Sequence, residues 1–198
     1  MRIGVLGTGG VAAALGARWV AAGHEVVIGG RSVERARALA VRLGASAGGS
    51  LADARSHGDV LLVAVPAAVA VEVLGHVPGR VVVDCTNSVV PGRFVLDRVG
   101  QARSLGASGG DVVKAFNLHH VSTWDIPAPV YGGVPLGVPI CGDSSRALDL
   151  VAELVRAVGC VPVLAGGLER AELLEATAAF AIGLWFGGHD VRALFPTS

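Results

Sequence analysis

Short runs of β-branched residues alternate with longer segments rich in Ala, Leu and Arg along the chain. That alternation is typical of strand–helix–strand units, which build a parallel sheet covered by helices. The strands predicted in this way are Arg2–Leu6, Glu25–Ile28, Val60–Val65, Arg80–Asp84, Asp111–Ala115, Gly137–Cys141 and Val161–Leu164, with a weak one near Ala45. We therefore expect an α/β fold with a doubly wound, mainly parallel sheet and helices on both faces.

Apolar residues at helical spacing predict helices between these strands. Val11–Ala22 and Val33–Leu43 both show the pattern, and in the second the apolar positions recur at i, i+3, i+4 and i+7. Ser144–Val158 repeats it, with Asp143 as the predicted N-cap. The last predicted helix, Leu168–Phe186, is nearly all apolar in its second half, so we expect the rest of the domain or another subunit to cover it.

The chain has the length and composition of one globular domain. Its 198 residues lie within the roughly 100–200 residues of an ordinary domain. Hydrophobic residues make up 52% of the chain and charged residues 16%, so a sizeable core can form. We therefore expect a single domain over residues 1–198, with helix 168–186 packing on its body or on a partner. The stretch Val121–Pro139, rich in proline and glycine, is predicted to be a loop over this domain rather than a linker.

Charge and residue spacing indicate which partners and sites to expect. Sixteen basic residues balance sixteen acidic ones without a run of like charges, so we expect no nucleic-acid partner. The apolar runs Val60–Val71 and Ala176–Phe186 are shorter than the ~20 residues that span a bilayer. Because a strand pattern also begins at the second residue, we expect a cytoplasmic protein without a membrane span. Cys85, Cys141 and Cys160 are widely spaced beside apolar residues, which predicts reduced core thiols and no metal site.

A glycine-rich turn joins the first predicted strand to the first predicted helix. Gly7, Gly9 and Ala12 form the pattern G-x-G-x-x-A in the strand–helix context that a dinucleotide-binding fingerprint requires. Gly7 allows the tight turn, and Gly9 lets a pyrophosphate approach the backbone amides around Gly9, Gly10 and Val11. Ala12 lets helix and strand pack closely. The alternative is a glycine-rich turn that only closes an ordinary strand–helix unit.

The end of the second predicted strand indicates which dinucleotide would bind. A site for NAD usually carries Asp or Glu roughly 20 residues after the glycines. Here residues 27–32 read VIGGRS, without a carboxylate. The guanidinium of Arg31 and the hydroxyl of Ser32 suit the 2′-phosphate of NADP, and Arg35 lies one helical turn further on. The alternative is that Ser32 only caps the helix and Arg31 is solvated.

Three more segments follow the predicted ends of later strands, where open α/β sheets bind ligands. They are Val65-Pro66-Ala67, Asp84-Cys85-Thr86-Asn87 and Lys114-Ala115-Phe116-Asn117. Together with the glycine turn we expect them to form one crevice. Within them Val65, Pro66, Asn87, Ala115 and Asn117 are the candidate cofactor contacts.

Several of these motifs, taken in order, carry a resemblance to a known family. "IGVLGTGGVAAALGARWVAAGHEVVIGGRS", "VAVP", "DCTN", "VVKAFN", "ICGDS" and "GLERAELLE" together resemble the NADPH-dependent coenzyme F420 reductases, the F420H₂:NADP⁺ oxidoreductases, over essentially the whole chain. The resemblance implies an NAD(P)-binding Rossmann fold and hydride transfer between NADP(H) and the deazaflavin of coenzyme F420. It places Thr8, Gly9, Gly10 and Val11 at the pyrophosphate, Arg31 and Ser32 at the 2′-phosphate, and Val65 and Pro66 beside the nicotinamide.

Leu118-His119-His120 departs from that family pattern, in which a small hydroxyl residue is more common after "KAFN". His119 or His120 is a candidate to donate a proton or to bind a substrate anion. Adjacent side chains of an extended segment point to opposite faces, so at most one faces the site. A loop histidine without chemistry is the equally weighted alternative. A proton donor would favour NADPH-dependent reduction of another small acceptor (a carbonyl, imine or flavin), and a non-catalytic NADPH sensor also stays open.

The apolar second half of the last helix predicts assembly. A helix on one sheet face needs only one apolar stripe, so residues 176–186 need further cover. Symmetric dimers are the commonest oligomers, and the family resemblance implies one as well. We therefore expect a homodimer in which this helix contributes to the interface, with the helix wrapped under the Val121–Pro139 loop as the alternative.

Overall fold

Most of the sequence patterns translate into a regular order of strands and helices. The computed structural model describes residues 1–191. Its strands are β1 (Arg2–Leu6), β2 (Glu25–Gly30), β3 (Ala47–Ser50), β4 (Val60–Val63), β5 (Val81–Asp84), β6 (Asp111–Lys114), β7 (Val130–Tyr131), β8 (Val134–Pro135), β9 (Gly137–Gly142) and β10 (Val161–Leu164). Its helices are α1 (Gly10–Ala21), α2 (Val33–Leu43), α3 (Leu51–His57), α4 (Ala67–Leu74), α5 (Gln101–Leu105), α6 (Ser145–Ala157) and α7 (Ala171–Phe186).

Eight of the strands form one sheet in the order β3-β2-β1-β4-β5-β6-β9-β10. The strands from β3 to β6 in this order all pair in parallel. β9 pairs antiparallel with β6, and β10 pairs in parallel with β9, so the last two strands run the opposite way. The expected mainly parallel sheet is confirmed.

Each central strand buries side chains on both faces of the sheet. On β4, Val60 and Leu62 join a cluster with residues of α1, α2 and α6, whereas Leu61 and Val63 join a cluster with residues of α3, α4, α5 and α7. Successive side chains of a strand point to opposite faces, so the two clusters lie on opposite sides. The fold is therefore doubly wound, as predicted. None of the helices within residues 1–191 combines the length and apolarity that a membrane crossing requires.

The helix ends confirm one cap and correct another. α2 begins after Ser32, whose hydroxyl accepts from Arg35 N, and ends at Gly44 in the left-handed region (φ 68°). Asp143 was the predicted N-cap of α6, and this is wrong, because the side chain of Ser144 accepts from Ala147 N instead. The carboxylate of Asp143 accepts from the backbone of Leu168 at 2.7 Å and so fastens the segment before α7.

Short elements account for most of the other differences. The helices α3, α4 and α5 were not predicted, because with seven, eight and five residues they are too short for an apolar period to show. Strand ends shift by one or two residues; β4 stops at Val63 and β2 runs on to Gly30. The predicted loop Val121–Pro139 contains a 3₁₀ helix, Val121–Asp125, and the two-stranded hairpin β7–β8. The cysteines are free, with Cys141 and Cys160 buried and Cys85 half-buried.

The last helix is less buried by the rest of the described chain than its apolar sequence predicts. Its predicted range divides into a 3₁₀ turn, Leu168–Arg170, and α7. Ala178 and Ala179 are buried, but Phe180 is 61% exposed and Phe186 64% exposed. Within residues 1–191, the outer side of the helix end is therefore exposed.

Candidate active site

The carboxyl ends of β1, β4, β5 and β6 lie at one edge of the sheet, because these strands pair in parallel, and we call the region outside them the crevice. β1 lies between β2 and β4, so the chain connections diverge on either side of it. Such a switch point leaves room for a ligand outside the strand ends of an open α/β sheet. The glycine turn, Val65-Pro66, Asn87 and Asn117 all follow these strand ends, which brings the sequence-predicted segments together.

Gly7 shapes the fold rather than a ligand surface. It adopts a φ of 134°, and a Cβ at this position would overlap the carbonyl oxygen of Ala64 after β4. Its amide donates to the Gly29 carbonyl of β2 at 2.9 Å. Gly7 is required because three strand ends meet at its backbone.

Gly9 and the start of α1 fit an anionic group. A Cβ on Gly9 would meet no atom within 4 Å, so open space lies in front of this backbone. Gly9 is the N-cap of α1, where no side chain caps the helix and no acidic residue lies in the first turn. The amide groups at the positive end of α1 are thus free to bind a pyrophosphate. Thr8 and Val11 are half-buried beside this opening.

The 3₁₀ helix Val121–Asp125 packs over the same turn. A Cβ on Gly10 would lie 3.4 Å from Cγ2 of Val121. The segment that carries the two histidines therefore runs directly from the end of β6 to the start of α1. It forms a wall of the crevice beside the glycine turn.

The residues predicted to bind the 2′-phosphate follow the end of β2. Arg31 and Arg35 are exposed, and no ion pair or hydrogen bond engages either guanidinium within the described chain. Ser32 caps α2 and also donates its hydroxyl proton to Glu34 Oε2 at 2.9 Å. The hydrogen bond from Ser32 helps to lower the pKa of Glu34, after the larger effect of a backbone hydrogen bond. The carboxylate of Glu34, which was not among the predicted site residues, is thus the acceptor of the Ser32 hydroxyl.

Two asparagines close the crevice between β5 and β6. Asn87 Nδ2 donates to the Asn117 carbonyl at 2.8 Å, and Asn117 Nδ2 donates to Asn87 Oδ1 at 3.0 Å. Phe116 holds a φ of 64°, rare for a non-glycine residue, and its ring packs edge-on against Trp124 in the core. That anchor turns Asn117 towards Asn87. Ala115 was a candidate cofactor contact, but it is fully buried in the core and has no surface that a ligand could contact.

The two histidines occupy different environments. His119 is half-buried edge-on to Trp124, its Nδ1 has no hydrogen-bond partner in the described residues, and burial lowers its pKa to about 4. His120 is exposed, and its Nδ1 lies 2.8 Å from Ser122 Oγ. The ring of His120 also contacts Trp185 of α7, with ring centroids 4.9 Å apart. His119 is therefore neutral near pH 7, and His120 connects the crevice wall to the last helix.

Sequence reasoning missed an ion cluster at the ends of β5 and β6. Lys114 Nζ lies 2.9 Å from Asp84 Oδ2 and 3.1 Å from Glu175 Oε1, with all three side chains fully buried. A charged residue at the end of an otherwise apolar strand was the available signal, because buried charges need partners. Within residues 1–191, no group of three His, Cys, Asp or Glu side chains lies close enough together to hold a metal ion.

The family model that describes coenzyme F420-dependent NADP oxidoreductases matches residues 2–88 of the chain. The F420-dependent NADP reductase of Methanothermobacter marburgensis is 33% identical over 93% of this chain and 92% of its own length. The metalloreductase STEAP3 of Rattus norvegicus is 31% identical over 93% of this chain, which spans only 38% of the length of that protein.

Solved structures agree on the fold. A putative F420-dependent NADP reductase from Arthrobacter superimposes with a TM-score of 0.79 at 23% identity, over 94% of both chains. An imine reductase of Streptomyces aurantiacus gives a TM-score of 0.67 at 20% identity, over 94% of this chain and 62% of its own. The match to the Methanothermobacter enzyme over nearly the full length of both proteins shows that the chain belongs to the family of F420-dependent NADP reductases. It is therefore an NADP-dependent oxidoreductase.

Proposed function

We propose that this enzyme transfers a hydride between NADP(H) and the deazaflavin of coenzyme F420. The observation that carries the proposal is the open, uncapped start of α1 at Gly9, in a chain that matches an F420-dependent NADP reductase over nearly its full length. When both cofactors are bound, they supply the hydride donor and acceptor, so the protein needs to bind and orient them.

The proposed roles follow the position of each residue in the crevice. Amides of Thr8, Gly9, Gly10 and Val11 bind the pyrophosphate, and Arg31, Ser32 and Arg35 bind the 2′-phosphate. Val65 and Pro66 lie on the nicotinamide side, since they follow β4, the neighbour of β1. Asn87 and Asn117 fix each other and so keep the far wall of the crevice in place.

The state of His119 supports a deazaflavin acceptor over a carbonyl or imine. Reduction of a carbonyl needs a proton donor of suitable pKa, whereas hydride transfer to a deazaflavin does not require one from a side chain. A neutral imidazole with a pKa of about 4 is a poor donor near pH 7. The exposed His120 is the remaining candidate donor, and it keeps the carbonyl or imine reductase as the second candidate function.

An absorbance assay tests the proposal directly. We expect the protein to oxidise NADPH in the presence of F420 and to leave simple ketones, imines and flavins unreduced. Turnover with one of those other acceptors but not with F420 would establish the second candidate function. NADPH binding without turnover of any acceptor would instead indicate a sensor.

Replacing Gly9 by Val should abolish NADPH binding while the protein stays folded. The new side chain would fill the space proposed for the pyrophosphate, but its Cβ would meet no atom of the described residues within 4 Å, and the φ of −83° suits any residue. Isothermal titration calorimetry measures the affinity and thermal melting the fold. Unchanged NADPH affinity in folded Gly9→Val protein would show that the loop is only a turn.

The charges at the end of β2 should set nucleotide preference. We expect NADPH to bind at least tenfold more tightly than NADH, a difference of about 1.4 kcal/mol, and Arg31→Ala to remove most of it. Glu34→Gln should tighten NADPH binding by about two- to fivefold, as expected for one exposed charge pair, because it removes the carboxylate beside Ser32. The measurement is the dissociation constant of NADPH and of NADH for the unmodified protein and for each variant. Equal affinities in the unmodified protein would contradict the assignment.

Replacement of either histidine by Asn should leave F420-dependent turnover within about tenfold of the unmodified rate, because general acid catalysis is typically worth 10²–10⁴. The measurement is kcat with F420 and saturating NADPH. A larger fall for His120→Asn with unchanged NADPH affinity would favour the carbonyl or imine reductase.

We also propose that the enzyme is a homodimer built partly on the end of α7. Phe180, Trp185 and Phe186 are each about half exposed or more, which leaves an apolar aromatic face on this helix. Light scattering should give twice the 19.9 kDa of one chain. The double substitution Trp185→Glu and Phe186→Glu should reduce the mass to one chain, whereas a persistent dimer would exclude this helix end from the interface.

A further inference from the structure

The buried ion cluster joins three parts of the chain at the crevice. Asp84 ends β5, Lys114 ends β6 and Glu175 lies on α7. The ammonium of Lys114 also donates to the Thr86 carbonyl at 2.6 Å, next to Asn87. The cluster thus holds the two strand ends that carry the paired asparagines against the last helix. The roles proposed above leave it unused.

Each oxygen of the two carboxylates in the cluster faces at least one hydrogen-bond donor. Asp84 Oδ1 accepts from Thr86 N and Oγ1, and Oδ2 accepts from Lys114. Glu175 Oε1 accepts from Ala102 N at 3.0 Å and Oε2 from Gln101 N at 3.1 Å. Glu175 is therefore bound at once to the ammonium and to the first backbone amides of α5.

Gln101 carries the connection from Glu175 to the opposite wall of the crevice. Its amide Nε2 donates to the carbonyl of Ala67 at 3.1 Å. Ala67 is the first residue of α4 and directly follows Pro66. A continuous series of hydrogen bonds therefore runs from α7 through Glu175 and Gln101 to the segment proposed to lie beside the nicotinamide.

The oxygen of the Gln101 amide gives an independent indication that the hydrogen bond to the Ala67 carbonyl matters. Gln101 is fully buried, and its Oε1 has no hydrogen-bond partner in the described residues. A buried acceptor without a donor destabilises a fold, and an apolar side chain of similar size, such as Met, would avoid that cost. What the amide contributes here is the bond to the Ala67 carbonyl.

We propose that Glu175 and Gln101 are positioning residues, through which the docking of the C-terminal helix sets the location of the Pro66 segment against the nicotinamide. The inference rests on the proposed function, since it takes the crevice as the nicotinamide site. The hydrogen bonds reach neither the glycine turn after β1 nor Arg31 after β2, where the rest of the nucleotide would bind. Nucleotide affinity and turnover should therefore respond differently to a broken connection.

Two variants of the full chain and a matched control test this. Gln101→Met removes the bond to Ala67 and leaves the ion cluster intact, and Glu175→Gln replaces the carboxylate by an amide of the same shape. Glu172→Gln is the control, because Glu172 also joins α7 to α5, through a partly exposed ion pair with Arg103 at 2.7 Å.

For both test variants we expect an unchanged fold by circular dichroism and a dissociation constant for NADPH within about threefold of the unmodified protein. kcat with F420 should fall at least tenfold, since misplacement of a reacting group by about 1 Å can cost 10²-fold. The fluorescence emission of bound NADPH, which reports the surroundings of the nicotinamide without an acceptor, should change in both test variants and not in Glu172→Gln.

Gln101→Met decides the outcome if Glu175→Gln fails to fold. Unmodified kcat and NADPH emission in folded Gln101→Met protein would overturn the inference. So would a parallel loss of melting temperature, affinity and kcat, which indicates a role in stability alone. An unmodified protein that binds no NADPH would instead refute the proposed function. Variants that alter NADPH emission in a protein inactive with F420 would refute only the proposed acceptor.

Discussion

The ammonium of Lys114 between two buried carboxylates is the interaction on which the arrangement of the crevice depends. Taking three charges out of water costs several kcal/mol for each ion, so the cluster is favourable only when all its partners are present. Removing one partner of such a buried group typically costs about 3–5 kcal/mol. The ends of β5 and β6, the start of α5 and the second turn of α7 must therefore dock together.

The two halves of the crevice are built by different means. Near β1 and β2 the chain offers backbone amides and exposed guanidinium groups, and the glycines there serve distinct purposes. Gly7 is needed because β4 approaches it closely, whereas Gly9 faces open space. Near β5 and β6 the surface consists of side chains held by hydrogen bonds from distant segments, such as the pair Asn87–Asn117 and the bond from Asn117 to the Leu174 carbonyl. Side chains held by hydrogen bonds on one side, and an open backbone surface on the other, are suited to orienting two planar cofactors.

Much of the fold could be predicted because its signals are local or periodic. The main strands were predicted from alternating β-branched and Ala/Leu/Arg segments, and α2 was predicted with both ends correct because its cap and its apolar stripe lie in one window. Short helices such as α4 were missed because eight residues show little period, and an apolar run that continues past Pro66 resembles a strand. Asp143 and Ser144 are both good caps, and only the contact of Asp143 with Leu168 decides between them.

The sequence by itself determined the alternation of strands and helices, the glycine turn before α1 and the basic end of β2, since each is encoded by residues that are close together in the chain. Tertiary structure alone decided that Glu175 and Gln101 reach the Pro66 segment, and that His119 is buried with a lowered pKa. The physical reason is that residue patterns report backbone conformation and burial period over a few turns. The partner of a buried charge, and the solvation of a histidine, depend on which distant elements the chain connections bring together.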